Sequence, residues 1–283
     1  VKRSLLIGCV AENTPKYLAQ ALRLVQSVRW FGGSIADADV LVCVVGTLDS
    51  ATIERFSHYG ATLRTVERFD ARCPVTNKLR FVEQPEARGY SGVLMLDCDT
   101  IVVQDFSPLL TGSLFSAKIA DGPTMPLDVL AHVFRQFDIP CPEPHYRCTI
   151  RGTLTIPYFN TGVLYFPVGV FDILPPIWIR HTRELLSRFD LVRGREHFVE
   201  QTSMSMALAS SALSFTPLGN EMNCPVHHED YIPCLDGVDP YIIHYHSRVD
   251  GDGYLLPSKY GSINRRIRQF NERLASERQR GVA

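Results

Sequence analysis

Asp97 and Asp99 stand two positions apart, directly after the apolar run Val93-Leu94-Met95-Leu96 and just before Ile101-Val102-Val103. Four apolar residues in a row predict a buried strand. A core has no use for two charges at its end, because an unpaired buried carboxylate costs several kcal/mol or more. At the carboxyl end of a strand in an open α/β sheet, both groups would border a crevice where a divalent cation could neutralise them. Strand alternation puts the two side chains on one side. Asp-x-Asp also arises in surface turns, but its place behind a four-residue apolar run predicts a metal site.

The elements around this pair alternate. Residues 4–10 read as a buried strand. Thr14 caps a helix that has Pro15 at its first position. Tyr17, Leu18, Ala21, Leu22, Val25 and Val28 give that helix an apolar stripe, and Gly32-Gly33 ends it. Residues 40–45 form a second strand, 49–59 a helix stopped by Gly60, and 62–66 a third strand. Residues 77–86 are expected to be helical, and 92–96 make the fourth strand. This β-α-β-α order predicts an α/β fold with a mainly parallel sheet and helices on both faces. The loops at residues 11–13, near Gly46 and at 97–99 would then share one rim.

The second half is less regular. The proline-rich stretch 120–157 shows little periodicity and reads as a functional loop region. Residues 158–167 return to strand character, interrupted by Asn160 and Gly162; glycine in a strand suggests close approach of a backbone or ligand. Residues 171–189 and 200–210 read as helices, and 241–245 as a last short strand carrying His244.

With 283 residues, 45% apolar and 21% charged, the chain can bury a sizeable core without disulfides. Its net charge of −1 exerts no pull toward nucleic acid. No segment has the length of a transmembrane helix, and no signal-peptide core with a cleavage site opens the chain. The eight cysteines include no C-x-x-C and several lie in apolar strands, so reduced thiols and a cytoplasmic location are expected. Cys141, His145 and Cys148, with Cys224 or His227, fit no standard zinc spacing.

Four motifs, in order, resemble the retaining glycosyltransferases of family 8, the group of glycogenin and the lipooligosaccharide galactosyltransferases. Leu96-Asp97-Cys98-Asp99 with its continuation to Gln104-Asp105-Phe106-Ser107-Pro108-Leu109 is similar to the family's Asp-x-Asp strand. Thr76-Asn77-Lys78-Leu79 resembles an upstream basic element, Tyr158-Phe159-Asn160-Thr161-Gly162-Val163-Leu164 the F-N-A/S-G-V strand, and Ile243-His244-Tyr245 the late V-H-F. The resemblance covers roughly residues 4–250. It implies the GT-A fold: a single Rossmann-like domain over 1–260, with a nucleotide-binding half at 1–105 and an acceptor half at 106–260.

The resemblance implies a site as well. Asp97, Asp99 and His244 would bind Mn²⁺ or Mg²⁺, which stabilises charge on a departing nucleoside diphosphate. Ala11, Glu12 and Asn13 would grip uracil and ribose of a UDP-sugar, with Asp97 and Cys98 beside them. Lys78 would reach a phosphate or the sugar as a point charge, and Asn160 would read sugar hydroxyls where Gly162 lets the chain pass close. Glu200-Gln201 matches a D-Q pair, with Gln201 near the anomeric carbon and Glu200 on hydroxyls. A helix start also favours a carboxylate for its dipole alone. Where the family has G-x-x-K-P-W, this chain has Ser247-Arg248-Val249-Asp250-Gly251, with Arg248 as a substitute phosphate ligand and His246 as a helper.

The expected activity is metal-dependent, retaining transfer of glucose or galactose from a UDP-sugar. The acceptor stays open: a carbohydrate, a small molecule, a lipid-linked sugar or a protein. Two other classes compete. Haloacid-dehalogenase phosphatases need D-x-D-x-T near the N-terminus, whereas Thr100 follows Asp99 directly and the strand is the fourth. A silent GT-A-like binding module would not need Asp97, Asp99 and His244. The stripe Ile263, Ile267, Phe270 and Leu274 predicts an amphipathic helix over 261–283, with six Arg and two Glu from residue 262 onward. It could pack on the domain or meet a membrane surface or a lipid-linked acceptor.

Overall fold

The computed structural model describes residues 3–110, 112–228 and 230–280. Residues 1 and 2, and residues 281–283 of the expected C-terminal helix, lie outside the described residues.

The chain begins with β1 (Arg3–Glu12), α1 (Pro15–Phe31), β2 (Asp39–Val45), α2 (Ser50–His58), β3 (Ala61–Val66), α3 (Leu79–Val82) and β4 (Tyr90–Leu96). β5 (Thr100–Val102), β6 (Phe115–Ile119), α4 (Leu127–Gln136), β7 (Tyr146–Arg147), β8 (Leu154–Thr155) and β9 (Phe159–Pro167) follow. The last elements are α5 (Val168–Phe171), α6 (Leu174–Ser187), α7 (Val199–Ser211), β10 (Phe215–Leu218), β11 (Cys224–Pro225), β12 (Ile242–His244) and α8 (Gly261–Gln279). Seven strands make the main, mostly parallel sheet in the order β10-β6-β9-β4-β1-β2-β3. Within it β6 runs parallel to β10 and antiparallel to β9. A small sheet has the order β11-β12-β5. The α/β expectation, with helices flanking a mainly parallel sheet, holds.

By contact density the chain forms two compact units. The first joins Val1–Leu6, Val66–Met95 and Gly112–Leu218; the second joins Ile7–Thr65, Leu96–Thr111 and Gly219–Ala283.

In the second unit, Thr14 caps α1 through its side chain to Tyr17 N, with Pro15 in the first turn. The inward face of α1 buries Ala21, Leu24, Val25 and Val28, and with them the polar Gln20 and Ser27. Buried polar groups need partners, and these two have them: Val102 N donates to Ser27 Oγ at 2.9 Å, tying β5 to α1, and Gln20 Nε2 donates to His246 O at 2.7 Å. Asp49 caps α2 through Thr52 N at 2.6 Å. In α8, Ile263, Ile267, Phe270 and Leu274 are all buried, and the Phe270 ring centre lies 5.7 Å from that of Trp30. The apolar stripe of α8 therefore faces the protein. Among the described residues, no helix is long and apolar enough to cross a membrane.

In the first unit, Leu130, Phe134, Tyr158, Leu185, Val199 and Met206 share one core cluster. Two stretches differ from expectation. Residues 77–86 are a 3-10 turn at Pro74–Lys78, one turn of α3 and a second 3-10 turn at Pro85–Gly89. Pro74 and Pro85 open those turns, and a proline denies its own amide to a longer helix. The helix expected at 171–189 is α6, with Pro175 in its first turn, and the one-turn α5 precedes it. Inside the stretch 120–157 lies the ten-residue α4, burying Leu130, Val133 and Phe134; its short period is masked by the prolines around it.

Candidate functional site

In the second unit, β4 ends at Leu96 and the chain turns over Asp97. Thr100 N and Oγ1 donate to the Asp97 carbonyl at 3.1 and 2.8 Å. The turn leads into β5, which pairs antiparallel with β12 in the register His244↔Thr100 and Ile243↔Ile101. β11 pairs with the other edge of β12, Pro225↔His244. Non-local pairing thus delivers His244 to Asp99: Nε2 lies 3.1 Å from Oδ1. The other ring nitrogen, Nδ1, lies 3.1 Å from Asn223 Oδ1. Both His244 and Asn223 are buried.

Asp99, His244 and His246 offer ligand atoms that all lie within 4.8 Å of one another. His246 Nδ1 is 3.6 Å from Asp99 Oδ2, on the carboxylate oxygen that His244 leaves open. Burial alone would raise the Asp99 carboxyl; the charge and hydrogen bond of His244, then the charge of His246, outweigh it and hold the group near 2. A neutral His244 can satisfy one of its two contacts as a donor. With its Nδ1 proton on Asn223 Oδ1, a neutral His244 turns the Nε2 lone pair toward Asp99 Oδ1, where a shared cation would bridge the two. The set fits a divalent first-row ion, with its imidazole oriented by a hydrogen-bonded neighbour.

Asp97 is half-buried and stands outside that group. It is close enough that its charge, with that of Asp99, adds to burial and Cys43 in pushing the Cys9 thiol up. Cys98 is buried, and its Sγ lies 3.8 Å from Gln20 Oε1. Ala11 is buried, Glu12 half-buried and Asn13 exposed at the end of β1. Asn13 N donates to Val45 O at 3.2 Å and its side-chain amide to Thr47 O, so the loops after β1 and β2 are joined. Arg248 is half-buried, and its guanidinium donates to Pro257 O at 3.0 Å.

In the first unit, Lys78, Thr161 and Glu200 meet. Lys78 Nζ lies 3.0 Å from Thr161 Oγ1 and 3.4 Å from Glu200 Oε1, and Thr161 donates to the same Oε1 at 2.8 Å. Trp178 Nε1 donates to Glu200 O at 2.9 Å, locking the start of α7. Glu200 Oε2 is buried and without a hydrogen-bond partner, an arrangement that calls for a ligand or an ordered water. Gln201, next along the helix, is half-buried. Asn160 is held from both ends: Gly162 N donates to its Oδ1 at 3.0 Å, and its Nδ2 donates to Asp121 Oδ2 at 3.1 Å. Asp121 also accepts from Thr149 Oγ1 at 2.9 Å and pairs with Lys118 Nζ at 2.6 Å.

Sequence reasoning passed over Asp121, Lys118, Thr161, Asn223 and Gln20. Thr161 was inside a quoted motif, and its position next to Asn160 was the one signal available. Lys118 has no exposed surface, yet Phe115-Ser116-Ala117-Lys118-Ile119 reads as an ordinary strand.

The fold resembles solved glycosyltransferases. The galactosyltransferase LgtC, in complex with donor and acceptor sugar analogues, superposes with a TM-score of 0.57 at 14% identity, over 98% of this chain and all of that one. An active-site mutant of LgtC gives 0.53 at 16% identity with the same coverage. The glycosyltransferase GlyE of Streptococcus pneumoniae TIGR4 gives 0.52 at 15% identity, over 95% of this chain and 61% of that one. No curated protein matches the sequence. A family model described as a Rhodobacterales glycosyltransferase domain matches residues 7–212, well over half the chain. With a GT-A architecture and this match, the chain belongs to the Rhodobacterales glycosyltransferase domain family and is a glycosyltransferase.

Proposed function

We propose that the protein is a metal-dependent, retaining hexosyltransferase of family 8 that moves glucose or galactose from a UDP-sugar to an acceptor. The observation that carries this reading is the 3.1 Å approach of His244 Nε2 to Asp99 Oδ1 at the carboxyl end of β4. Asp97, Asp99 and His244 would hold Mn²⁺ or Mg²⁺, and the ion would act as a Lewis acid toward the leaving diphosphate. Ala11, Glu12, Asn13 and Cys98 serve the nucleoside, and Arg248 the diphosphate.

Asn160, Glu200 and Gln201 would serve the sugar. Asn160, fixed at both ends of its amide, presents hydroxyl-binding groups in one orientation. Glu200 keeps one oxygen on Lys78 and Thr161 and offers the buried Oε2 to a sugar hydroxyl. Holding the sugar in this way supplies orientation, the part of catalysis that needs no proton transfer. Gln201 stands near the anomeric carbon in this reading. The similarity in fold to LgtC, solved with donor and acceptor sugar analogues, supports a hexose donor.

The test is release of UDP from UDP-glucose and UDP-galactose, with Mn²⁺ and with EDTA, alongside thermal stabilisation by UDP, GDP, ADP and CMP. Ligand that binds only the folded state raises Tm by mass action. Stabilisation by UDP that needs the metal and exceeds that of the other nucleotides is expected. Equal shifts with GDP would refute the uridine assignment, and hydrolysis unaffected by EDTA would refute the metal.

A further inference from the structure

We propose that His246 ligates the same cation as Asp99 and His244, and that this second imidazole favours Co²⁺ over Mg²⁺. The inference rests on the metal reading above and adds to it a ligand and a metal class.

Three observations converge on His246. The first is aim. Its Nδ1 lies 3.6 Å from Asp99 Oδ2 while His244 Nε2 lies 3.1 Å from Oδ1, so the two imidazoles address different oxygens of one carboxylate. Adjacent ligands of an octahedral ion with bonds of about 2.1 Å stand about 3 Å apart, and opposite ones about 4.2 Å. The spread of the three ligand atoms, all within 4.8 Å, suits one shared ion after small adjustments.

The second is backbone strain. His246 has φ +53, a left-handed conformation that residues with a side chain rarely adopt. Gln20 of α1, itself 4% exposed, holds it there by donating Nε2 to His246 O at 2.7 Å. Tyr245 N donates to Asp99 O at 3.1 Å, fixing the chain just before the bend. A continuing strand would also put residues 244 and 246 on one face, but about 6.6 Å apart. With the bend, the two rings lie stacked, centres 4.0 Å apart and planes 18° from parallel. The third is support: the His227 ring packs edge-on against His246, with ring centres 4.1 Å apart.

The chemistry of the donors sets the metal class. Carboxylate and water suffice for Mg²⁺, which dehydrates reluctantly and gains little from nitrogen. Each added imidazole favours the later first-row ions.

The test is calorimetric binding of Co²⁺ and of Mg²⁺ alone, without nucleotide, to the wild type, His246→Ala, His246→Asn and Asp99→Asn, with the visible spectrum of the Co²⁺ form. Asparagine tolerates left-handed backbone, so His246→Asn keeps the bend if His246→Ala fails to fold. Both His246 variants should bind Co²⁺ at least ~10-fold more weakly, with Mg²⁺ affinity changed less than ~3-fold and an altered Co²⁺ spectrum. Unchanged Co²⁺ affinity and spectrum in His246→Asn, with binding lost in Asp99→Asn, would overturn the role of His246 and leave the metal reading standing. Equal weakening of Co²⁺ and Mg²⁺ would overturn the selectivity. Absence of any divalent binding by the wild type would remove the metal reading itself, and this inference with it.

Discussion

Asp99 and His244 are 145 positions apart in the chain and 3.1 Å apart in space, joined through Oδ1 and Nε2. The antiparallel register of β5 and β12 makes that contact, and Asn223 on the far side of the ring orients it.

Asp99→Asn should therefore reduce Mn²⁺ affinity by about 100-fold or more and abolish metal-dependent transfer, since it removes the charge that both imidazoles face. Asparagine keeps the shape and an acceptor oxygen, so Tm should move by no more than ~4 °C. Titration of Mn²⁺ against UDP release, paired with a thermal melt, checks both halves. Wild-type metal dependence in the variant would remove Asp99 from the site.

Asn223→Ala tests orientation apart from ligation. The side chain touches His244 Nδ1 and is fully buried. Loss of a partner that fixes a metal-binding imidazole costs about 10–100-fold in affinity, so Mn²⁺ half-saturation should rise by about that factor while maximal activity at saturating metal largely recovers. A fall in maximal activity with unchanged half-saturation would contradict this.

Glu200→Gln removes a charge that Lys78 pairs with in a setting where side-chain exposure is only 13% for Lys78 and 3% for Glu200. Breaking one side of a buried pair destabilises by about 3 kcal/mol, so Tm should drop by ~5–10 °C. Lys78→Met combined with Glu200→Gln should recover part of that loss. Additive single effects in the double-mutant cycle would mean that the two groups are not coupled.

The Asp121 carboxyl supplies a pH test. Burial alone would raise it, but Lys118, Thr149 and Asn160 hold it below the usual carboxylate range. Its folded value is thus depressed below an unfolded value of about 3.9. The stability it contributes is fully present above about pH 5 and is lost as pH falls through the folded value. Urea unfolding between pH 6 and 3 should show the wild type losing stability in that window. Asp121→Asn should be less stable at neutral pH, because the fully buried Lys118 loses its counter-charge, and should show a flatter acid limb. Parallel acid limbs for the two proteins would refute the assignment.

Much of this was local and legible from residue types alone. The apolar run ending in Asp97 and Asp99, the Thr14-Pro15 helix start and the buried stripe of α8 depend on side-chain spacing within a turn or a strand, which periodicity reports directly. Glu200 was found as a helix-start carboxylate, but its burial against Lys78 and Thr161 was invisible, because charge pairing across elements leaves no periodic trace. Lys118 shows the same limit: a lysine in a strand looks solvent-facing until a carboxylate at Asp121 is placed beside it. α4 was hidden by prolines that end elements without revealing what lies between them.

The sequence by itself determined the strand–helix alternation and the two acidic side chains at the end of the fourth strand, since these follow from local sterics and hydrophobic spacing. Only the tertiary structure decided that β12 pairs antiparallel with β5, that Asn223 orients His244, and that Gln20 holds His246 in a left-handed bend facing Asp99. Strand register and side-chain partners between distant segments are set by packing of the whole core, and that free energy is not written in any one window of residues.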